Sequence, residues 1–207
     1  MTLRLHYIYD PLCGWCYAAA PLVAAVQAVP GVELILHGGG LFAEPTGLAA
    51  PMRQHIRASD ARIAEMSGQE FGSAYLDGLL NDPSTIFHSA PTIAAILAAE
   101  QVAPGHGPAM LKAIQHAHYV EGRRVVEPAV LTDLAQAIGL LPDAFEAARR
   151  AYPVDSHVNE TRRTMASFGV RGFPGLLREE AGQIIPLPLS DFYGRPDAFT
   201  EMVRSRA

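Results

Sequence analysis

The hydrophobic and polar positions near the start of the chain alternate as in a strand, switch to helical spacing, and then alternate again. Leu3–Tyr9 and Val32–His37 are predicted strands, and Cys13–Val29 between them is a predicted helix. Gly38–Gly40 then ends the second strand in a turn. A strand, a helix and a strand in this order predict a β-α-β unit with parallel strands joined by a right-handed crossover.

The middle of the chain, from about Leu41 to Tyr152, is rich in Ala, Leu and Ile at helical spacing. The spacing predicts four to six helices and no strand. The clearest helix lies between Pro128 and Gly139, which are residues typical of a helix start and a helix end. Its apolar positions follow the i, i+3, i+4, i+7 pattern: Leu131, Leu134, Ala135 and Ile138.

The last part of the chain, beyond about Asp155, returns to mixed structure. We predict a helix to about Phe168, then a hairpin, then a final helix from Pro196 to about Arg204. The hairpin strands are Leu176–Arg178 and Ile184–Leu187, joined across Glu179–Gln183.

Two prolines limit the second hairpin strand. Pro186 and Pro188 have no backbone N–H, so this strand should be an edge of the sheet or should end there. Because the predicted strands cluster at the two ends of the chain, we expect a discontinuous domain and an insertion. The domain comprises residues 1–40 and 155–207, and the inserted helical domain comprises residues 41–154.

The composition fits a globular protein. The chain has 207 residues, of which 49% are hydrophobic and 18% charged. A net charge of −5 without a basic cluster argues against a nucleic-acid partner. No apolar run approaches the roughly 18 residues of a membrane helix, and the N-terminus lacks the pattern of a signal peptide. If Met1 is the natural start, we therefore expect a cytoplasmic protein with no membrane partner, while the oligomeric state stays open.

The candidate chemistry lies in two cysteines, Cys13 and Cys16, which are the only ones in the sequence. They follow a predicted strand and begin a predicted helix, whose free N–H groups and dipole favour a thiolate at Cys13. Cys16 lies one turn further in and should be more buried. A disulfide that closes so short a loop is weakly favoured and strained at helical i, i+3 spacing, so it should exchange readily.

Two simpler explanations of the cysteine pair remain. The cysteines could form half of a metal site, although the eight histidines offer no second pair at ligand spacing. They could also be two buried cysteines that meet by chance. The non-enzymatic alternative is therefore a metal-binding or redox-sensing module.

Several segments together carry a resemblance to the thioredoxin superfamily, in its DsbA-like branch. Asp10-Pro-Leu-Cys-Gly-Trp-Cys-Tyr17 resembles the active-site segment of cytoplasmic DsbA-like oxidoreductases, including predicted protein-disulfide isomerases. Pro21 resembles the proline that kinks the active-site helix, and Gly169–Pro174 resembles the loop with the cis-proline. Tyr119–Leu131 is similar to a stretch of the DsbA-like insertion. The resemblance covers nearly the whole chain and implies an α/β thioredoxin-like fold with an all-helical insertion.

The same resemblance implies a function and a site. It implies a thiol–disulfide oxidoreductase or isomerase that exchanges protein or small-molecule disulfides through Cys13 and Cys16. Phe173 and Pro174, joined by a cis bond, would shape the substrate groove. Trp15 would either contact substrate or only pack over the helix start. We expect no metal and no resident cofactor, because the disulfide carries the electrons, with glutathione as a candidate co-substrate.

Two departures from the family change what is expected of the chemistry. DsbA has His before its second cysteine, where this chain has Trp15, so the couple should be less oxidising than DsbA. The superfamily buries an acid six positions before the first cysteine, where this chain has Tyr7. Tyrosine is a poor base at neutral pH. The proton of Cys16 should therefore pass to water, His37 or Glu33.

A second enzyme class shares the implied architecture. The chain also resembles glutathione-dependent kappa transferases and 2-hydroxychromene-2-carboxylate isomerases. Those enzymes commonly have Ser in place of the first cysteine. The intact pair in this chain therefore disfavours a glutathione transferase or a 2-hydroxychromene-2-carboxylate isomerase.

Overall fold

The computed structural model describes residues 3–180 and 182–205. Positions 1, 2, 181, 206 and 207 lie outside the described residues. The outermost ends of the predicted 1–40 and 155–207 segments and one residue of the predicted Glu179–Gln183 connection are therefore not covered. In the described ranges, no helix combines the length and the apolar character needed to cross a membrane.

The elements alternate between strands and helices at the chain ends and are mainly helical between them. In chain order they are β1 (Leu3–Tyr9), α1 (Gly14–Gln27), β2 (Val32–Gly38), β3 (Thr46–Gly47), α2 (Ala50–Ser67), a π-helical segment (Ala74–Leu79), β4 (Ile86–Phe87), α3 (Ser89–Val102), α4 (Gly107–Tyr119), α5 (Pro128–Ala137), α6 (Pro142–Ala151), α7 (Val154–Ser167), β5 (Gly175–Glu180), β6 (Gln183–Pro186), a 3-10 segment (Leu189–Phe192) and α8 (Pro196–Ser205).

A four-stranded mixed sheet, in the order β2-β1-β5-β6, joins the two ends of the chain. β1 pairs in parallel with β2, as the predicted crossover requires, and antiparallel with β5. β6 is an edge strand and ends at Pro186, which confirms the expectation drawn from the missing proline N–H.

β1 is buried on both faces. Tyr7 and Tyr9 belong to the main core, to which α1 contributes Leu22. Ile8 points to the opposite face of the sheet, where it packs with Met165 of α7 and with β5. α1 and α7 therefore cover opposite faces of the central strand. The short segment after β1 leads directly into α1.

The helices between the two halves of the sheet share its core. α3 contacts α4, α5, α6 and α7, and most of its apolar side chains are buried. One cluster unites Tyr7 of β1 and Leu22 of α1 with Ile114, Leu134 and Phe145 of the inserted helices. Full burial of one such side chain stabilises a fold by about 1.5–3 kcal/mol. This continuous core fixes the helices against the sheet.

The structure differs from the expected pattern in small respects. α1 begins at Gly14 and ends at Gln27, slightly inside the predicted range. Five α-helices, α2–α6, lie in the middle region, within the predicted number. β3 and β4 form an antiparallel ladder there that was not predicted, because strands of two residues produce no readable alternation.

Candidate active site

The two cysteines lie at the start of α1, as expected, and differ in exposure. Cys13 is the N-cap residue, with an extended backbone, and its carbonyl accepts the N–H groups of Cys16 (2.9 Å) and Tyr17 (3.1 Å). Cys13 is 7% exposed and Cys16 is fully buried. The first thiol is therefore the one that a substrate can approach.

The two sulfur atoms have different partners. Both cysteines are free thiols, and the Cys13 sulfur lies 3.9 Å from the carbonyl oxygen of Phe173. The Cys16 sulfur accepts the backbone N–H of Asp10 at 3.4 Å. Burial raises the pKa of Cys16 well above its usual value, and the neighbouring Cys13 thiol adds to the effect. Cys16 is thus held as a thiol.

The loop before β5 forms the second wall of the site. The peptide bond between Phe173 and Pro174 is cis, and the Phe173 carbonyl faces the Cys13 sulfur. The Phe173 ring packs against Gly39, where a Cβ atom would overlap the ring. The turn after β2 and the Phe173 ring therefore pack closely at a position that has no side chain.

Trp15 lies between the two cysteines in the sequence, and its side chain is half-buried. Its ring stacks on Tyr193, with 5.5 Å between the ring centroids. Burial raises the pKa of Tyr193, and negative charge on the nearby Cys16 and Cys13 sulfurs would raise it further. No pattern in the sequence pointed to Tyr193, because it lies 180 positions from Cys13 with no motif around it.

Tyr7 occupies the place of the family's buried acid. It is almost completely buried, and its hydroxyl donates to the carbonyl of Cys16 at 3.3 Å. Burial, followed by the two cysteines, raises the pKa of Tyr7 well above its usual value. Tyr7 therefore cannot serve as a base at neutral pH.

The structure does not bring the other two expected proton acceptors to Cys16. Glu33 lies opposite Arg4 at the far end of β1 and pairs with it at 3.3 Å. His37 lies opposite Ile8, so its side chain is on the face of the sheet away from Tyr7 and α1. There it lies 2.9 Å from His6, and burial lowers the pKa of His37 to about 4.

A buried acid that the sequence interpretation missed lies beside the cysteines. Asp10 follows β1 directly and is 0% exposed. Its carboxylate accepts the N–H groups of Leu12 (2.9 Å) and Leu41 (2.7 Å). The signal available in the sequence was an acid three positions before Cys13, but such a loop residue more often only caps a turn.

A second buried acid approaches the segment between the cysteines from α2. Asp60 leaves no room for a side chain at Gly14, since a Cβ atom there would lie 2.8 Å from Oδ1. The hydroxyl of Tyr75 donates to the other carboxylate oxygen at 2.8 Å. Burial raises the pKa of Asp60 to about 6. Glycine between the cysteines thus permits α2 to pack close to them.

A family model decides the assignment. The model of the DSBA-like thioredoxin domain matches residues 4–186. The chain belongs to this family. Together with the cysteine pair at the start of α1, membership makes this DsbA-like protein a thiol–disulfide oxidoreductase and confirms the expected fold class.

Solved structures agree with the DsbA-like assignment. The cytosolic disulfide reductase DsbM from Pseudomonas aeruginosa is 43% identical, with a TM-score of 0.90 over 99% of this chain and 98% of that one. The same protein with GSH gives a TM-score of 0.89, at the same identity and coverage. A protein from Nitrosomonas europaea, 21% identical over 99% and 97% of the chains, has the same fold at a TM-score of 0.85. Among curated protein sequences, none matches this chain significantly.

The family assignment bears on the alternatives left open by the sequence. A chance pair of cysteines does not explain a DSBA-like match over residues 4–186. In the part of the chain that the structure describes, no three His, Cys, Asp or Glu side chains are grouped so that they could hold a metal ion.

Proposed function

We propose that this protein is a cytoplasmic disulfide reductase that draws its electrons from a small thiol such as glutathione. The observation that carries the proposal is the pairing of a slightly exposed Cys13 with a fully buried Cys16. The 43% identical DsbM is described as a cytosolic disulfide reductase and has been solved with GSH, which supports the direction, the compartment and the thiol.

The proposed reaction has two halves. The Cys13 thiolate attacks a substrate disulfide, forms a mixed disulfide and releases one substrate thiolate, which takes up a proton. Cys16 then loses its proton and bonds to the Cys13 sulfur, and the second substrate thiol leaves. Two glutathione molecules reduce the resulting Cys13–Cys16 disulfide and become glutathione disulfide. The sum is one substrate disulfide reduced by two glutathiones, with no resident cofactor.

The proposed substrate groove lies between the cysteine segment and the loop before β5. The Phe173 carbonyl already accepts from the Cys13 thiol at 3.9 Å, so a substrate N–H could take its place when Cys13 reacts. An extended substrate would then add as a strand beside this loop, which is a general mode of peptide recognition. Pro174 would fix the loop, and the Trp15–Tyr193 stack would form the opposite rim.

The test compares the two directions of exchange. In a glutathione buffer, we expect the reduced protein to cleave a peptide disulfide faster than the oxidised protein forms one from the corresponding dithiol. Both initial rates are followed by chromatography of the peptide. A faster oxidation than reduction would contradict the reductase assignment while leaving thiol–disulfide exchange intact.

Cysteine variants provide the controls for this test. Cys13→Ser should abolish turnover, because the thiolate is the nucleophile. Cys16→Ser should instead accumulate a mixed disulfide between Cys13 and the substrate, visible by mass spectrometry. Preferential alkylation of Cys16 over Cys13 in the native protein at neutral pH would show that the two roles are reversed.

A further inference from the structure

Asp10 is placed where it contacts both ends of the cysteine segment. Its backbone carbonyl accepts the N–H of Cys13 at 3.2 Å, and its own N–H donates to the Cys16 sulfur at 3.4 Å. Its Oδ1 accepts the N–H of Leu12 at 2.9 Å. One residue therefore fixes the backbone between β1 and α1 and orients a donor toward the resolving sulfur.

The other carboxylate oxygen connects this segment to a different part of the fold. Oδ2 of Asp10 accepts the N–H of Leu41 at 2.7 Å, and the side chain of Ser89 at the start of α3 lies close to the carboxylate. Arg162 of α7 lies nearby and donates to the carbonyl groups of Gly39 and Gly40. All of these donors favour the charged form of a carboxylate and oppose the effect of its burial, which raises the Asp10 pKa.

Asp10 contributes a carboxyl to the titratable groups around Cys16. The other titratable groups that interact with Cys16 come from β1, α4 and the chain before α8, and they are the phenols of Tyr7, Tyr9, Tyr119 and Tyr193, together with the Cys13 thiol. Burial raises the pKa of each phenol, so they stay neutral. Within the described residues, Asp10 supplies the carboxylate that acts on Cys16. Burial and then Cys13 raise the Cys16 pKa most, the Asp10 N–H lowers the pKa, and the Asp10 charge raises it. A substitution of the Asp10 side chain keeps the N–H and therefore isolates the effect of the charge.

We propose that Asp10 is a positioning residue of the resolving step: its contacts hold the Cys13–Cys16 segment, and its charge adds to the effect of burial in keeping Cys16 as a thiol until a mixed disulfide has formed. A like charge in a buried site opposes ionisation of a neighbouring thiol. In that step Cys16 gives up a proton to solvent, its sulfur bonds to the Cys13 sulfur, and the bond from Cys13 to the substrate sulfur breaks. Removing the Asp10 charge should therefore lower the pH at which this step becomes fast.

The experiment measures the ionisation of Cys16 alone. In the Cys13→Ser protein, the rate of alkylation of Cys16 is followed against pH with and without Asp10→Asn. We expect the midpoint of Cys16 ionisation to move to lower pH by about one unit when the charge is removed. A midpoint that stays in place or moves upward in a folded Asp10→Asn protein overturns the proposal.

Two further measurements separate this role from a structural one. Asp10→Ser removes the charge but keeps an oxygen near the Leu12 N–H, and it should give the same downward shift. Asp60→Asn removes the other acid near the cysteines, which bonds to Tyr75, and should shift the Cys16 midpoint by less than half as much. An equal shift from Asp60→Asn would overturn the assignment to Asp10.

A third measurement needs no change at Asp10. In the Cys13→Ser protein, the carboxyl carbon resonance of Asp10, followed by NMR against pH, should shift as Cys16 ionises. A resonance that does not shift would also overturn the proposal.

The inference rests on the proposed role of Cys16 as the resolving thiol. Because alkylation reports ionisation and not turnover, a failure here is distinguishable from a failure of the proposed reductase direction, which the peptide assay measures separately.

Discussion

Trp15 shows how one side chain can alter the chemistry of a shared site. An imidazolium before the second cysteine would stabilise a neighbouring thiolate, and therefore the reduced form, whereas an indole carries no charge. In this protein the indole stacks instead on Tyr193, 5.5 Å away between centroids. Stacking of this kind contributes about 0.5–1.5 kcal/mol beyond burial, so position 15 contributes to packing more than to thiolate stability.

This difference predicts the redox potential of the couple. We expect the Cys13–Cys16 couple to lie near the isomerase and glutaredoxin range of about −180 to −230 mV, and Trp15→His to move it toward the DsbA value of about −120 mV. The measurement is equilibration with glutathione buffers. Trp15→Phe, which keeps an aromatic ring for Tyr193, should leave the potential near that of the native protein. A native potential near −120 mV would contradict this expectation.

At the scale of elements, the site is the meeting point of three loops. The end of β1 carries Asp10 and the cysteines, the turn after β2 carries Gly39, and the loop before β5 carries Phe173. Each loop follows or precedes a strand that is locked in register with its neighbours. The precision of the site therefore comes from the sheet, while the loops supply the reacting and contacting groups.

The contact between two of these loops gives a steric prediction. Gly39→Ala places a methyl group where the edge of the Phe173 ring lies, so this ring, which belongs to the residue whose carbonyl faces Cys13, must shift. Overpacking of this kind costs about 1–3 kcal/mol, and we expect a marked loss of thiol–disulfide exchange activity.

The matched control for that change lies in the loop before β5, beside Phe173. Gly172→Ala adds a methyl group where no atom lies within 4 Å, so activity and stability should stay close to those of the native protein. Both variants are compared by peptide-disulfide turnover and by urea unfolding. Equal effects from the two substitutions would show that the Gly39–Phe173 contact does not govern the site.

On the scale of the whole molecule, the continuous core contains a titratable group that the chemistry does not use. His118 of α4 is 3% exposed, packs among the rings of Tyr75, Phe87 and Tyr119, and has no hydrogen-bond partner for either ring nitrogen in the described structure. Burial lowers the pKa of His118 to about 3. The fold therefore contains a histidine that stays neutral while the unfolded chain takes up a proton.

The sign of the resulting pH dependence follows directly. Above the unfolded pKa of about 6.5 neither state of the chain protonates His118, and as the pH falls toward 3 the unfolded state alone gains the proton. We expect His118 to remove about 1–2 kcal/mol of stability between pH 7 and pH 5. His118→Phe should abolish this part of the loss in urea unfolding, whereas His55→Gln, at an exposed histidine, should not. An unchanged pH dependence in folded His118→Phe would contradict the assignment.

Local patterns predicted the fold well because each was repeated over several residues. The alternation in β1, the helical spacing in α5 and the prolines in β6 each reflect a constraint visible within a short window. The cysteines were found for the same reason, since their spacing and their strand-to-helix context are local. Phe173 and Pro174 required the family resemblance, because nothing near them in sequence refers to Cys13.

The rest of the site depends on contacts across the fold that the sequence does not display. Asp10 looks like an ordinary turn residue until Leu41 and Ser89 are seen to surround it. Glu33 and His37 were plausible bases in sequence, but the register of β1 and β2 places one at the far end of the sheet and the other on the opposite face. Register and face are set by tertiary packing, so composition and spacing could not assign the proton path.

The order of the sheet has a consequence for how the protein becomes active during translation. The cysteines emerge from the ribosome early, but Phe173 follows Cys13 by 160 residues, and β5, which pairs with β1, comes later still. Until that last segment has left the exit tunnel, the two thiols lack the wall that positions a substrate beside them. A nascent chain thus carries its cysteines without the complete groove, and productive exchange begins only once the C-terminal strands have joined the sheet.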